Sequence, residues 1–338
     1  MKPTLRNTLF VAAIVVVLFA LRAASISEHA GSVIRVQRPL MGTTWTIEVA
    51  DHGRPDAAGR AIDDAYAELA RIDRLMSEWN PDSPLSAINA AAGKHPVEVP
   101  AELRAIIERS NRYSELSGGA FDITWHGMAN IWHFDDNFRV PSQAEVDAAR
   151  RYVNFRGIQI EGNRVFLPRA GMSIGLGGIA KGYAVDRASE LLAREGFTDS
   201  LVDGGGDLRL SGTRNGAPWL IGLQDPRAGR GKLIGRVPAS DCAVASSGDY
   251  ERFRIVNGVR YHHIIDARTG WPATAASAVT VIAPTAEQGV VFDKIIFILG
   301  PEQGFRLARA AKIEALLIDT AGHRYATDGF RTRFEPLP

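Results

Sequence analysis

Apolar positions change period along this chain. From Thr43 to Val49 (TTWTIEV) they fall at every second residue, which predicts a strand. Ile62, Ala65, Leu69, Ile72 and Leu75 recur at helical spacing and predict a long amphipathic helix over 56–76. A second helix is predicted over 101–116, ended by Gly118, and a shorter one over 142–151. Residues 158–160 and 164–167 read as a hairpin. Strands are expected near 208–210, 219–223, 235–237 and 243–246, then over 276–283. Thr285 and Gln288 fit a capping box opening a helix that Gly300-Pro301 closes at Leu299. A last strand is expected over 316–319. Strands and helices interleave without a regular βαβ period, so the fold class is α+β rather than doubly wound.

The first thirty residues differ from the rest. Lys2 and Arg6 precede an apolar run from Leu9 to Leu21, followed by Arg22, Ala23, Ala24 and Ser25. That order describes a secretory signal, or an uncleaved anchor over 10–24 with Arg22 snorkelling. We therefore expect residues 1–30 to be a signal peptide or membrane anchor and 31–338 to be one extracytoplasmic domain, periplasmic in a Gram-negative cell. No cysteine offers a lipid attachment there. With 46% hydrophobic and 23% charged residues the rest is ordinary globular composition. A net charge of +1 and the lack of a basic cluster argue against nucleic acid as a partner. One cysteine, Cys242, excludes an intrachain disulfide and a cysteine metal cage; its neighbours Ala243 and Val244 suggest a buried thiol.

Candidate chemistry concentrates between Ser173 and Asp207. Gly175, Gly177 and Gly178 form a turn that leads into a helix carrying Lys181 in its first turn and stopping at Gly196. Glycines before a helix let backbone N–H groups approach an anion, and the helix start adds partial positive charge. The pattern is neither G-x-G-x-x-G, since Ala180 takes the last place, nor a GxxxxGK[ST] loop. A tight structural turn explains it as well as a ligand loop does. Four further clusters are polar beyond the needs of a core: Met41 to Thr44, Gly118 to Thr124, Ser246 to Tyr250 and His262 to Gly270. Each also reads as a cap or turn. In the last, Asp266 to Gly270 reads equally as a hairpin loop in which Asp266 bonds its own backbone.

Taken in order, MGTTWTIEV, IDRLMSEWNPDSPLSAIN, SGGAFDITW, LGGIAKGYAVDRA, LVDGGGDLRLSG, ASSGDYERF, HHIIDARTGWP and VTVIAPTAEQGVVFDKIIFILG resemble the ApbE family, the FAD:protein FMN transferases, over about residues 38–305. The resemblance implies an ApbE-like two-lobed fold of mixed or antiparallel sheets with FAD in the cleft between lobes. It also implies a reaction: FMN moves from FAD to a threonine or serine hydroxyl of a partner, releasing AMP. The acceptor it implies is a subunit of a periplasm-facing electron-transfer complex bearing a D-G-x-[ST]-G-A-[ST] pattern. By position, Met41, Ala120, Phe121 and Asp122 line the flavin side, Trp79 lies near the isoalloxazine, and Lys181 lies near the diphosphate or adenosine. Asp266 belongs to the cofactor-binding set, and the Gly178 carbonyl is a metal ligand. His263 is the general base that makes a poor hydroxyl nucleophile competent. Its neighbour His262 faces the other way if the segment is extended.

The chain departs from the family pattern where Mg²⁺ is expected. Gly175, Val290 and Lys294 stand where the pattern has aspartate, aspartate and threonine. Asp293 offers a carboxylate if the metal shifts, and the Lys294 ammonium offers charge in the metal's place. A lysine that snorkels to solvent is the plain alternative for Lys294. Gly175 and Lys294 stay in the cofactor-binding set. Two other activities fit the same motifs: a non-catalytic FAD carrier, and an FAD pyrophosphatase that gives FMN and AMP.

Overall fold

A computed structural model describes residues 32–134 and 137–337. The expected signal or anchor at 1–30 lies outside the described residues. Among the described residues no helix is long and apolar enough to cross a membrane.

An eight-stranded sheet organises the chain. Its strands are Val33–Leu40, Thr43–Ala50, Ser200–Asp203, Asp207–Ser211, Cys242–Gly248, Ala278–Ala283, Glu314–Ile318 and Arg324–Ala326. They lie side by side in chain order and every neighbouring pair is antiparallel. The interleaved helices are thus insertions into a meander, which gives the expected α+β class.

The period of two along these strands sorts side chains onto two faces. Trp45, Ile47 and Val49, with Val279, Val281, Ala315 and Leu317, face the helices Pro55–Met76, Ala180–Arg194 and Ala286–Ala310. Leu210, Val244, Ile282, Leu316 and Ile318 face a three-stranded sheet made by Trp219–Gln224, Leu233–Ala239 and Glu335–Pro336. The helical side carries two apolar clusters. They meet along the Ala286–Ala310 helix, whose Val291 and Ile295 join one and whose Val290 and Phe292 join the other. Ala120 and Phe121 stand at the same seam, one in each cluster.

The long helix runs Pro55–Met76 and the second Ala101–Leu116, as the periodicity predicts. Ser142 closes a reciprocal capping box with Glu145. At Gly300 the chain departs from helical geometry (φ 75°, ψ −176°), and Pro301 restarts the helix, which continues to Ala310. The sequence reading ended that helix for good. It also passed over Val33–Leu40, an edge strand whose polar residues are exposed, and the hairpin Phe253–Val256/Val259–His262. Cys242 is half-buried rather than enclosed, and burial pushes its thiol up.

Candidate functional site

The glycine turn is fixed from both sides. Asn89 brackets Ile174 with two hydrogen bonds, from Nδ2 to its carbonyl and from its N–H to Oδ1. The Gly175 N–H donates to Ile123 O at 2.9 Å. The helix that follows starts after Ile179 with no side chain capping it. Its first N–H groups are therefore not claimed by a side-chain cap, which suits an incoming anion. A Cβ on Gly178 would lie 3.1 Å from the Phe121 ring and 3.8 Å from Lys294 Cδ, so the turn, Phe121 and Lys294 share one wall.

A buried network of charges stands behind that wall. Lys181 Nζ is 2.8 Å from Asp207 Oδ2, and this carboxylate raises the lysine's pKa. Lys181 thus has a carboxylate partner before any phosphate arrives. Asp203 is pushed up by burial and feels the same pair; its Oδ1 accepts from Gly206 N–H at 2.7 Å. Asp293 is fully buried, and burial raises its pKa. Its Oδ1 is 3.1 Å from Lys294 Nζ while Oδ2 makes no hydrogen bond. Lys294 also donates to Val290 O at 2.8 Å. The lysine therefore turns inward to its own helix and to Asp293 instead of snorkelling to solvent.

His263 joins this network. Burial first, then the neighbouring His262 and the cations Arg252 and Lys294, push its imidazole down to about 3, and its Nδ1 is buried without a partner. The ring is neutral at physiological pH and keeps a nitrogen in reserve. His262 does face elsewhere: it is buried, its Nε2 lies 2.8 Å from Ala273 O, and its ring meets Phe297 edge-on.

The remaining candidates serve varied ends. Met41 takes a left-handed φ of 48° in the turn between the first two strands. The next residues pack on the Gly204–Gly206 loop: a Cβ on Gly205 would overlap Thr43, and one on Gly204 would press on Trp45. Two sequence-distant polar clusters thereby meet beside Asp207. Asp122 caps the 3-10 turn Ile123–Met128. It accepts from Thr124 N–H at 2.8 Å, Thr124 Oγ1 at 2.6 Å and Phe155 N–H at 3.2 Å. Its carboxylate holds the segment that follows Phe121, whose buried ring packs beside Gly178. Trp79 is 81% exposed, with its ring edge-on to His126 at 6.3 Å. Asp266 takes the hairpin reading. Both of its oxygens hold Arg268, at 2.9 and 2.8 Å, and its carbonyl accepts from Gly270 N–H.

Sequence reasoning missed His126, Glu78 and Arg252. A Cβ on Gly175 would fall 2.9 Å from His126 Cδ2, so the imidazole occupies the room a side chain at 175 would need. His126 Nδ1 is 2.7 Å from Ser173 Oγ, and burial lowers its pKa. Glu78 lies against Gly177 and is held protonated more readily by burial. Glu78 and Arg252 lie within motifs quoted above without being singled out, and His126 just beyond one; the fold brings His126 and Glu78 to the turn. The arrangement does not fit the Mg²⁺ that the resemblance implies. Positions 175, 290 and 294 hold no carboxylate or hydroxyl, the free Asp293 oxygen belongs to a group already paired with an ammonium, and among the described residues no three His, Cys, Asp or Glu side chains are grouped to hold a metal.

An uncapped helix start with Lys181 in its first turn and Lys294 beside the glycine turn suits an anionic ligand. The comparisons make this specific. The ApbE family model matches residues 41–317, and the chain belongs to that family. It is 32% identical over 298 residues to an FAD:protein FMN transferase of Treponema pallidum (strain Nichols), covering 82% of each chain. It is 30% identical over 319 residues to an FAD:protein FMN transferase of Vibrio cholerae serotype O1, covering 90% of this chain and 93% of that one. Among solved structures, the ApbE protein from Thermotoga maritima superposes with a TM-score of 0.82 at 31% identity, covering 90% of this chain and all of that chain. The flavin transferase ApbE from Vibrio cholerae gives 0.77 at 28% identity, covering 89% and 99%.

Proposed function

We propose that this chain transfers FMN from FAD to a threonine or serine hydroxyl of a partner protein. The hydroxyl oxygen attacks the phosphorus that carries the riboflavin. A phosphoester bond forms to the acceptor, the bond to the adenosine-side phosphate breaks, and AMP leaves with that electron pair. The hydroxyl proton passes to the imidazole of His263. His263 carries the reading: it is neutral, has an unpartnered buried ring nitrogen, and feels the charges of Arg252 and Lys294, the latter beside Gly178. A base of ordinary histidine character near neutral pH suits such a hydroxyl. Here burial first and flanking charges second depress it, and a diphosphate dianion at the turn would raise it again by offsetting the charges. Phe121 and Trp79 offer aromatic surface for the flavin, and the Met41 turn closes the side next to Gly204–Gly206.

The acceptor we infer is a subunit of an electron-transfer complex exposed to the periplasm. The basic-apolar-small order at 1–25 supports a periplasmic site of action, with the protein either released or held at the inner membrane. Incubation with FAD and a peptide bearing the D-G-x-[ST]-G-A-[ST] pattern tests the reading: fluorescent flavin should become covalently bound to the peptide, with AMP released in equal amount. AMP and FMN without flavinylated peptide would favour the pyrophosphatase. Tight FAD binding without AMP would favour the carrier, which the glycine, valine and lysine at 175, 290 and 294 also motivate.

A further inference from the structure

Lys294 occupies a position that calls for explanation. Its helix is apolar around it, with Val290, Val291, Ile295, Phe297 and Ile298 all buried. A lone ammonium there would be costly. The cost is met by Asp293 Oδ1 at 3.1 Å and Val290 O at 2.8 Å. An ammonium has three N–H donors, so one is left for a ligand. Its aliphatic stem lies beside Gly178 at the mouth of the glycine turn. Behind it Lys181 is held by Asp207, and Arg252 acts on both Lys181 and His263. A divalent ion entering this wall would meet two ammonium groups and the two carboxylates already paired with them.

On the transferase reading given above, we propose that the Lys294 ammonium, held in place by Asp293, compensates the diphosphate of FAD, and that FAD binding needs no divalent cation. Lys294 supplies point charge at the phosphate; it positions and neutralises, while His263 takes the proton. His126 completes the substitution by filling the space beside Gly175, where a carboxylate would otherwise project.

Titration of the metal-stripped full chain with FAD, followed by flavin fluorescence quenching, tests this independently of turnover. The expected dissociation constant with EDTA lies within twofold of that with Mg²⁺. Lys294→Met should weaken FAD at least tenfold with no rescue by Mg²⁺, and Lys294→Arg should stay within threefold. More than tenfold weakening of the unmodified protein by EDTA, restored by Mg²⁺, would overturn the proposal, as would a Lys294→Met chain that binds FAD normally. Metal-insensitive FAD binding with no flavinylated peptide would support this proposal and count against transfer alone. No FAD binding under either condition would overturn both.

Discussion

At the scale of single residues, His263 sets the chemistry. Its imidazole is held down to about 3 by burial and by adjacent positive groups. In the FAD-free protein it should therefore show no titration between pH 5 and 8 when followed by NMR. Added FAD should move its midpoint upward, because a nearby dianion favours the imidazolium. A midpoint near 6.5 without FAD would contradict this. Replacing it, as His263→Ala, should lower transfer by roughly 10²- to 10⁴-fold while leaving FAD affinity within about threefold, the range expected for loss of a general base. At this scale the separate facing of His262 was legible. Histidine followed by Asp-x-Arg-Thr-Gly is a compact signal, and period-two reasoning placed His262 away from it. Other assignments were not legible because ionic partners lie far off in sequence: Asp207 claims Lys181 from 26 positions away (207 − 181) and His126 reaches Gly175 across 49 (175 − 126). Asp266 shows the reverse case, a motif residue whose ionic partner, Arg268, is two positions away.

At the scale of elements, the junction of two helices holds the site in register. Asp186, on the Lys181 helix, accepts from the Ala286 and Glu287 N–H groups at 2.8 and 2.9 Å and so caps the Lys294 helix. Gly182 lies so close that a Cβ would overlap the Ala286 carbonyl. Gly182→Val should thus separate the helices and cost about 3 kcal/mol or more, measurable in urea unfolding. Burial lifts Asp186 to about 6 from 3.8. The folded state then binds more protons than the unfolded state between these values. Its contribution is fully present below pH 3.8 and is lost as pH rises through about 6. By the conversion of one pKa unit the loss is about 2–3 kcal/mol. Comparing melting temperatures, the advantage of the native chain over Asp186→Asn should shrink from pH 4.5 to 8; an advantage that grows would refute the assignment. Periodic, half-buried elements such as Ala101–Leu116 were readable to the residue. The Val33–Leu40 strand was not, because an edge strand with exposed Arg35, Gln37 and Arg38 has no clean alternation to read. The helix beyond Gly300 was missed for another reason: a Gly-Pro pair both ends one helix and suits the start of the next.

At the scale of the whole molecule, one antiparallel meander gathers turns that lie far apart in sequence. The loop after Leu40, the Gly204–Gly206 loop, the helix start at Ala180 and the segment around His263 reach one wall because insertions return to adjacent strands. Binding there should stabilise the fold as a unit. FAD at a hundred times its dissociation constant should add about 2.7 kcal/mol, seen as a raised melting temperature; no shift would mean the wall does not take FAD. The most direct test of the central claim is intact-mass measurement of an acceptor protein after incubation with FAD and this chain. The predicted result is one FMN added through a phosphoester on threonine or serine, with one AMP released per acceptor, in the native chain but only at trace level in His263→Ala. An acceptor of unchanged mass alongside rapid AMP release, or equal labelling by His263→Ala, would contradict the account.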